Sequence, residues 1–262
     1  MSLLRKIVLT LLVGLSVTFF MGCAVINIPT PIGMHDSPKA GAPAAEVLSF
    51  FEGVPYRADG AINRSGEFTL FADQEARFKS PGLNCSGFTV AGSRYFFERD
   101  YALNDVNIDR LADSGPDAKR GEDWDFGFDV ILNLTEGMKR KVMLPFGQKT
   151  EIVDGDGASL RGFELHDIKA WEDVISQMTV GNVYLFSMSK PVKFKKYTLL
   201  HHHVGVIVPE KDGSVWLCHA TTKGGVNKVD IMSAENLKRI VDANPENSLG
   251  KRMILIVEAP LK

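Results

Sequence analysis

One segment with a helical apolar period, followed far down the chain by several strand-length apolar runs, most limits how this chain can fold. From Asn84 onward Phe88, Ala91, Gly92, Tyr95 and Phe96 recur at i, i+3, i+4, i+7 and i+8, one stripe of a helix. The last third is strand-like instead, over Val183–Met188, His203–Val208, Val215–His219 and Met253–Glu258. Shorter helices are expected at Ala44–Glu52, behind Pro43, at Asp167–Met178, with Ile168, Trp171 and Ile175 on one side, and at Ser233–Val241, with Ser233 as N-cap. Residues 58–82 read as loop with one short strand near Phe68–Phe71. Helix first and strands later predict an α+β fold rather than an alternating parallel sheet. With 45% hydrophobic residues there is ample material for a core.

The N-terminus is of another kind. Arg5 and Lys6 precede an uncharged apolar stretch from Ile7 to Phe20. That is short of the roughly 20 residues a membrane-crossing helix needs, but right for a secretory signal. It ends in Phe20-Met21-Gly22-Cys23, which resembles a bacterial lipoprotein lipobox. The resemblance implies that residues 1–22 are a signal peptide and that Cys23 is the lipidated N-terminus of an envelope protein. The site would be a bacterial membrane, the periplasmic face of the outer membrane in a Gram-negative cell. Residues 23–43, rich in Pro and Gly, read as a tether. A formal net charge of −2 and a pI near 6.3 give no basis for nucleic-acid binding.

Cys85 opens the predicted helix after Pro81-Gly82, where unpaired N–H groups and the dipole favour a thiolate and can hold an oxyanion. The chain has six histidines, three of them consecutive, His201, His202 and His203. If the last two inner strands form a hairpin with Val208 opposite Ser214, His203 lies directly opposite His219. A tight turn at Asp212-Gly213 alone would break that register. Alternation turns Cys218 to the other face, as a core residue, and lets only His201 and His203 share a face. That limits a histidine metal site, and no metal or cofactor is expected. Cysteine, histidine and a polar orienter form the arrangement for nucleophilic acyl transfer.

Several segments, in order, resemble the NlpC/P60 family of cysteine peptidases. Asn84-Cys85-Ser86-Gly87-Phe88 resembles the nucleophile motif, with Asn84 where the family has Asp. His203-Val204-Gly205-Val206-Ile207 resembles the strand that carries the base, and His219-Ala220 the segment with the orienting residue. Gly181-Asn182-Val183 resembles the strand before the base, again with Asn for Asp, and Pro55-Tyr56 matches the pair upstream of the nucleophile. The resemblance implies a papain-like core whose catalytic helix packs on an antiparallel sheet. It implies an endopeptidase acting on peptidoglycan stem peptides through Cys85, His203 and His219. Tyr56 is then an oxyanion donor, and Ser86 and His202 are substrate-binding residues. The catalytic domain spans 44–262, and 99–180 reads as an insertion within it. The expected partners are stem peptides and the membrane, with the protein a monomer. The alternatives are a non-hydrolytic binder of peptidoglycan or protein, and a thiol amidase or acyltransferase.

Overall fold

The computed structural model describes residues 28, 30–34, 36–110, 125–148, 162–193 and 199–262. The expected signal sequence and Cys23 lie outside the described residues. The fold is α+β: helices cover both faces of a seven-stranded sheet.

The sheet is assembled largely from the last third of the chain. Its strands are β3 (Lys141–Met143), β4 (Phe163–Glu164), β5 (Asn182–Pro191), β6 (Leu199–Pro209), β7 (Val215–Thr221), β8 (Gly225–Asp230) and β9 (Met253–Pro260). The order is β3-β9-β5-β6-β7-β8, with β4 beside β3 on β9, and all of these pairs are antiparallel. A separate hairpin pairs β1 (Gly60–Ile62) with β2 (Phe68–Leu70). Its turn is closed by Asn63, whose Oδ1 accepts the N–H groups of Ser65 and Glu67 at 2.9 Å each.

Period-two alternation divides the core into two. Val183 and Leu185 of β5 join the core beneath helices α1 (Ala44–Phe51), α2 (Cys85–Phe96) and α4 (Phe126–Leu134). Tyr184, Phe186 and Met188 join the opposite core, with α5 (Ile168–Ile175) and α6 (Ala234–Asp242). Both faces of β5 are therefore dry, and its apolar run is continuous. A single turn, α3 (Leu103–Val106), packs against α4.

Helix α2 is the centre of the first core. Every residue from Ser86 to Phe96 is buried, so the predicted stripe is only one side of an enclosed helix. Asn84 is its N-cap, with Oδ1 accepting the Gly87 N–H at 2.7 Å. Gly87 lies against the hairpin backbone, where a Cβ would stand 2.0 Å from the Gly60 carbonyl oxygen.

Three expectations need adjusting. Helix α5 buries Ala170, Trp171 and Val174, while Ile168 is 39% exposed. The Trp171 indole N–H donates to the Leu165 carbonyl at 2.9 Å, which rotates the helix onto that face. From residue 28 the expected tether lies on the body: Ile28, Met34 and Ala42 pack against the first core, and the Ser37 hydroxyl bonds the Tyr95 hydroxyl at 2.7 Å. The segment 99–180 contributes β3 and β4 to the main sheet and α4 and α5 to its two faces.

Gly87→Ala should destabilise the fold by about 3 kcal/mol in chemical denaturation, because backbone on both sides must move. Gly92→Ala, whose Cβ would meet only the Phe96 ring at 3.1 Å, should cost under about 1 kcal/mol.

Candidate active site

Strands β6 and β7 are paired only from Val206–Cys218 to Pro209–Val215. Val208 lies opposite Trp216 rather than Ser214, so the register is displaced by two residues from the expected one. The turn is longer than a tight one, with the Glu210 N–H donating to the Ser214 carbonyl at 2.8 Å. A displacement of two keeps every side chain on its face. His203 and His219 therefore remain on the same side, as diagonal rather than direct neighbours. Beyond Val206 the strands part, while β7 continues along β8 to Thr221.

The parting creates the site. His203 Nε2 and His219 Nδ1 are 2.8 Å apart, a hydrogen bond across the opening. The Phe186 ring supports both imidazoles, its centroid 6.1 Å from that of His203 and 6.3 Å from that of His219. Gly205 makes the close packing possible, since a Cβ there would meet the Cys218 carbonyl and the Phe186 ring at 2.6 Å. Cys218 itself is buried in the first core, as expected.

Cys85, at the first turn of α2, faces the same opening. The Val204 and Ser86 amides lie where they favour its thiolate. The Ser86 hydroxyl lies 4.0 Å from the sulfur. Burial nonetheless raises the Cys85 thiol above its ordinary value, and these donors offset only part of that. Burial also lowers His203 to about 4, and burial together with His203 lowers His219 to about 3. At neutral pH the resting site is thus a thiol beside two neutral imidazoles, not the ion pair that a helix N-terminus alone suggests. Among the described residues no hydrogen bond joins Cys85 to His203.

The tautomers decide what the histidine pair can do. With His203 donating from Nε2 to His219 Nδ1, the His203 Nδ1 lone pair is free to take a proton. The reverse arrangement would place a proton on His203 Nδ1 and remove the base. Only the first arrangement would let His203 act as a base, and it leaves the His219 proton on Nε2.

A cavity of about 740 Å³ contains Tyr56, Cys85, His202, His203 and His219 in one wall. Tyr56 is placed by backbone pairing with Leu83, two residues before Cys85. Ser86 is buried behind the sulfur and does not line the cavity. A bulge explains the histidine run: Met188 pairs with His203 but Ser189 with His201, leaving His202 as the extra residue. Strict alternation would keep His201 beside His203. The bulge turns His201 away instead, onto Ser187 at 2.9 Å and the Phe128 ring of α4, and leaves His202 at the cavity. Arg252 donates to His202 Nε2 at 3.0 Å. Burial, with His203, Lys190 and Arg252 nearby, holds His202 at about 3.

The opposite wall carries residues that no motif identified. The β7–β8 turn supplies Thr222 and Lys223, β8 supplies Asn227, and α6 supplies Asn236, Arg239 and Asn244. Their polar, surface-like pattern reads in sequence as ordinary solvent-facing residues. Asp109, Asp125 and Asp129 form a separate group whose carboxylate oxygens lie within 4.8 Å of one another, close enough for a cation; none lines the cavity. Among the described residues no helix is long and apolar enough to cross a membrane. No protein-family model, curated protein or solved structure matches this chain.

The His203 shift has a signed consequence for stability. Its folded value of about 4 lies below an unfolded value of 6.5, so on acidification the unfolded chain takes up the proton first. The stabilisation is complete above pH 6.5 and is lost as the pH falls through about 4. It amounts to on the order of 3 kcal/mol for this residue. Denaturation midpoints measured between pH 4 and 7 should fall on acidification, with a shallower slope in His203→Asn.

Proposed function

We propose that this chain is an exported, lipid-anchored cysteine hydrolase with a papain-like core of the NlpC/P60 type, cleaving peptide bonds in peptidoglycan stem peptides. The observation that carries the reading is the His203–His219 hydrogen bond at 2.8 Å, in the same cavity wall as a cysteine at a helix N-terminus. The order of the three residues along the chain, and the motifs around them, support the family. The lipobox-like Cys23 supports the location.

In this reading Cys85 Sγ attacks the scissile carbonyl carbon while its proton passes to His203 Nδ1. Closure around substrate brings the thiol and the imidazole into hydrogen-bond range. The Val204 and Ser86 amides then hold the sulfur charge as it forms. The oxyanion is received by the Cys85 N–H and the Tyr56 hydroxyl. The imidazolium of His203, steadied by His219, returns its proton to the leaving amine as the C–N bond breaks. Water, deprotonated by the same imidazole, then attacks the thioester and releases the acid and the Cys85 thiol. His219 is a positioning residue: it fixes the tautomer and ring angle of His203 without adding a charge.

A second reading has a specific observation in its favour. The absent Cys85–His203 bond and the raised thiol suit a cleft that binds stem peptides without cutting them. Incubation of the mature protein with purified wall fragments, followed by mass spectrometry of the products, separates the two. New amine and carboxyl termini are expected, with Cys85→Ser reducing the rate by about a thousandfold or more and His219→Ala by about a hundredfold. Intact fragments after prolonged incubation would favour the binder.

A further inference from the structure

The chain carries 32 acidic against 30 basic side chains, yet among the described residues lining the cleft there is no carboxylate. The charged groups in the lining are Lys223, in the β7–β8 turn, and Arg239, on α6. Neither forms an ion pair among the described residues; the polar partner of the Arg239 guanidinium is the neutral Asn236 Oδ1. Nearby cations that do not line the cleft are neutralised. Lys238, next to Arg239, pairs with Asp242, and Lys228, next to Asn227, pairs with Glu52. The Arg252 guanidinium stands behind His202 and adds charge of the same sign. Around these cations the lining is hydroxyl and amide, from Thr222, Asn227 and Asn244.

A cleft whose charged lining is of one sign concentrates the opposite sign, here from two solvent-exposed cations. We infer that the cleft takes a substrate bearing a carboxylate, which Lys223 and Arg239 hold on the wall formed by the β7–β8 turn and α6. The inference rests on the proposed hydrolase reading for the position of the scissile bond but not for the anion preference. Lys223 and Arg239 are then specificity-determining residues that touch the non-reacting part of the substrate. Their loss raises KM for acidic substrates and leaves the proton transfers at Cys85 and His203 alone.

The nucleophile itself reports the field. Alkylation of Cys85 in the mature chain is followed by mass spectrometry with iodoacetate, an anion, and with iodoacetamide, its neutral isostere. The iodoacetate-to-iodoacetamide rate ratio should exceed that of N-acetylcysteine by about tenfold, and fall about fivefold in 1 M NaCl. The Lys223→Met/Arg239→Met double variant should lower the ratio by about fivefold, the iodoacetamide rate serving as the internal reference for site integrity. A ratio equal to that of N-acetylcysteine would overturn the inference, and so would one unaffected by the double substitution. Failure of the hydrolase reading shows separately, as uncut wall fragments with the anion preference intact.

Discussion

The candidate site depends on where two strands stop pairing. Beyond Val206 and Cys218 the pairing of β6 with β7 ends, and the opening lies beside the first turn of α2. The place of Cys85, the diagonal contact of His203 with His219 and the cavity all meet at this one interrupted ladder. Gly205 and Phe186 fix how far the interruption extends. The glycine admits the Cys218 carbonyl, and the ring supports both imidazoles on the far side.

The same burial that organises these groups sets their resting charge. A sulfur surrounded by protein resists ionisation, and an imidazole surrounded by protein resists protonation, so both shifts favour the neutral pair. Neutral His219 does not compensate a charge on His203 as a carboxylate would. It supplies a hydrogen-bond partner instead, and with its Nδ1 as acceptor it leaves the His203 Nδ1 free. In the proposed hydrolase the Cys85 proton would therefore move during attack rather than before it.

Much of this was legible in the sequence, for reasons that can be named. The apolar period from Phe88 to Phe96 located α2 because the packing of a helix leaves a local mark in the sequence. The facing of His203 and His219 survived a register displaced by two, because strand parity is unchanged by an even shift. The facing of His201 did not survive, because the bulge at His202 inserts a single residue and reverses parity. No local signal distinguishes those outcomes. Strand β8 was hidden because its Asn227, Lys228 and Asp230 read as turn and surface, as the outer strand of a sheet often does. The face of α5 turned on the Trp171–Leu165 bond, a contact of the indole with a carbonyl just before the helix.

The two walls of the cleft differ in how strongly the fold constrains them. Cys85, His203, His219 and the Val204 amide are held by a buried helix, a two-sided sheet and glycines that admit no side chain. Changing any of them disturbs a packed core. Lys223 and Arg239 stand on a turn and on the outer face of a short amphipathic helix, where substitution costs little stability. In the proposed hydrolase, selectivity placed on such positions would vary with the packed side of the cleft unchanged. The same difference explains why the sequence says more about one side of the cleft: the cap, the glycines and the strand period mark residues held by packing, while Lys223 and Arg239 read as ordinary surface.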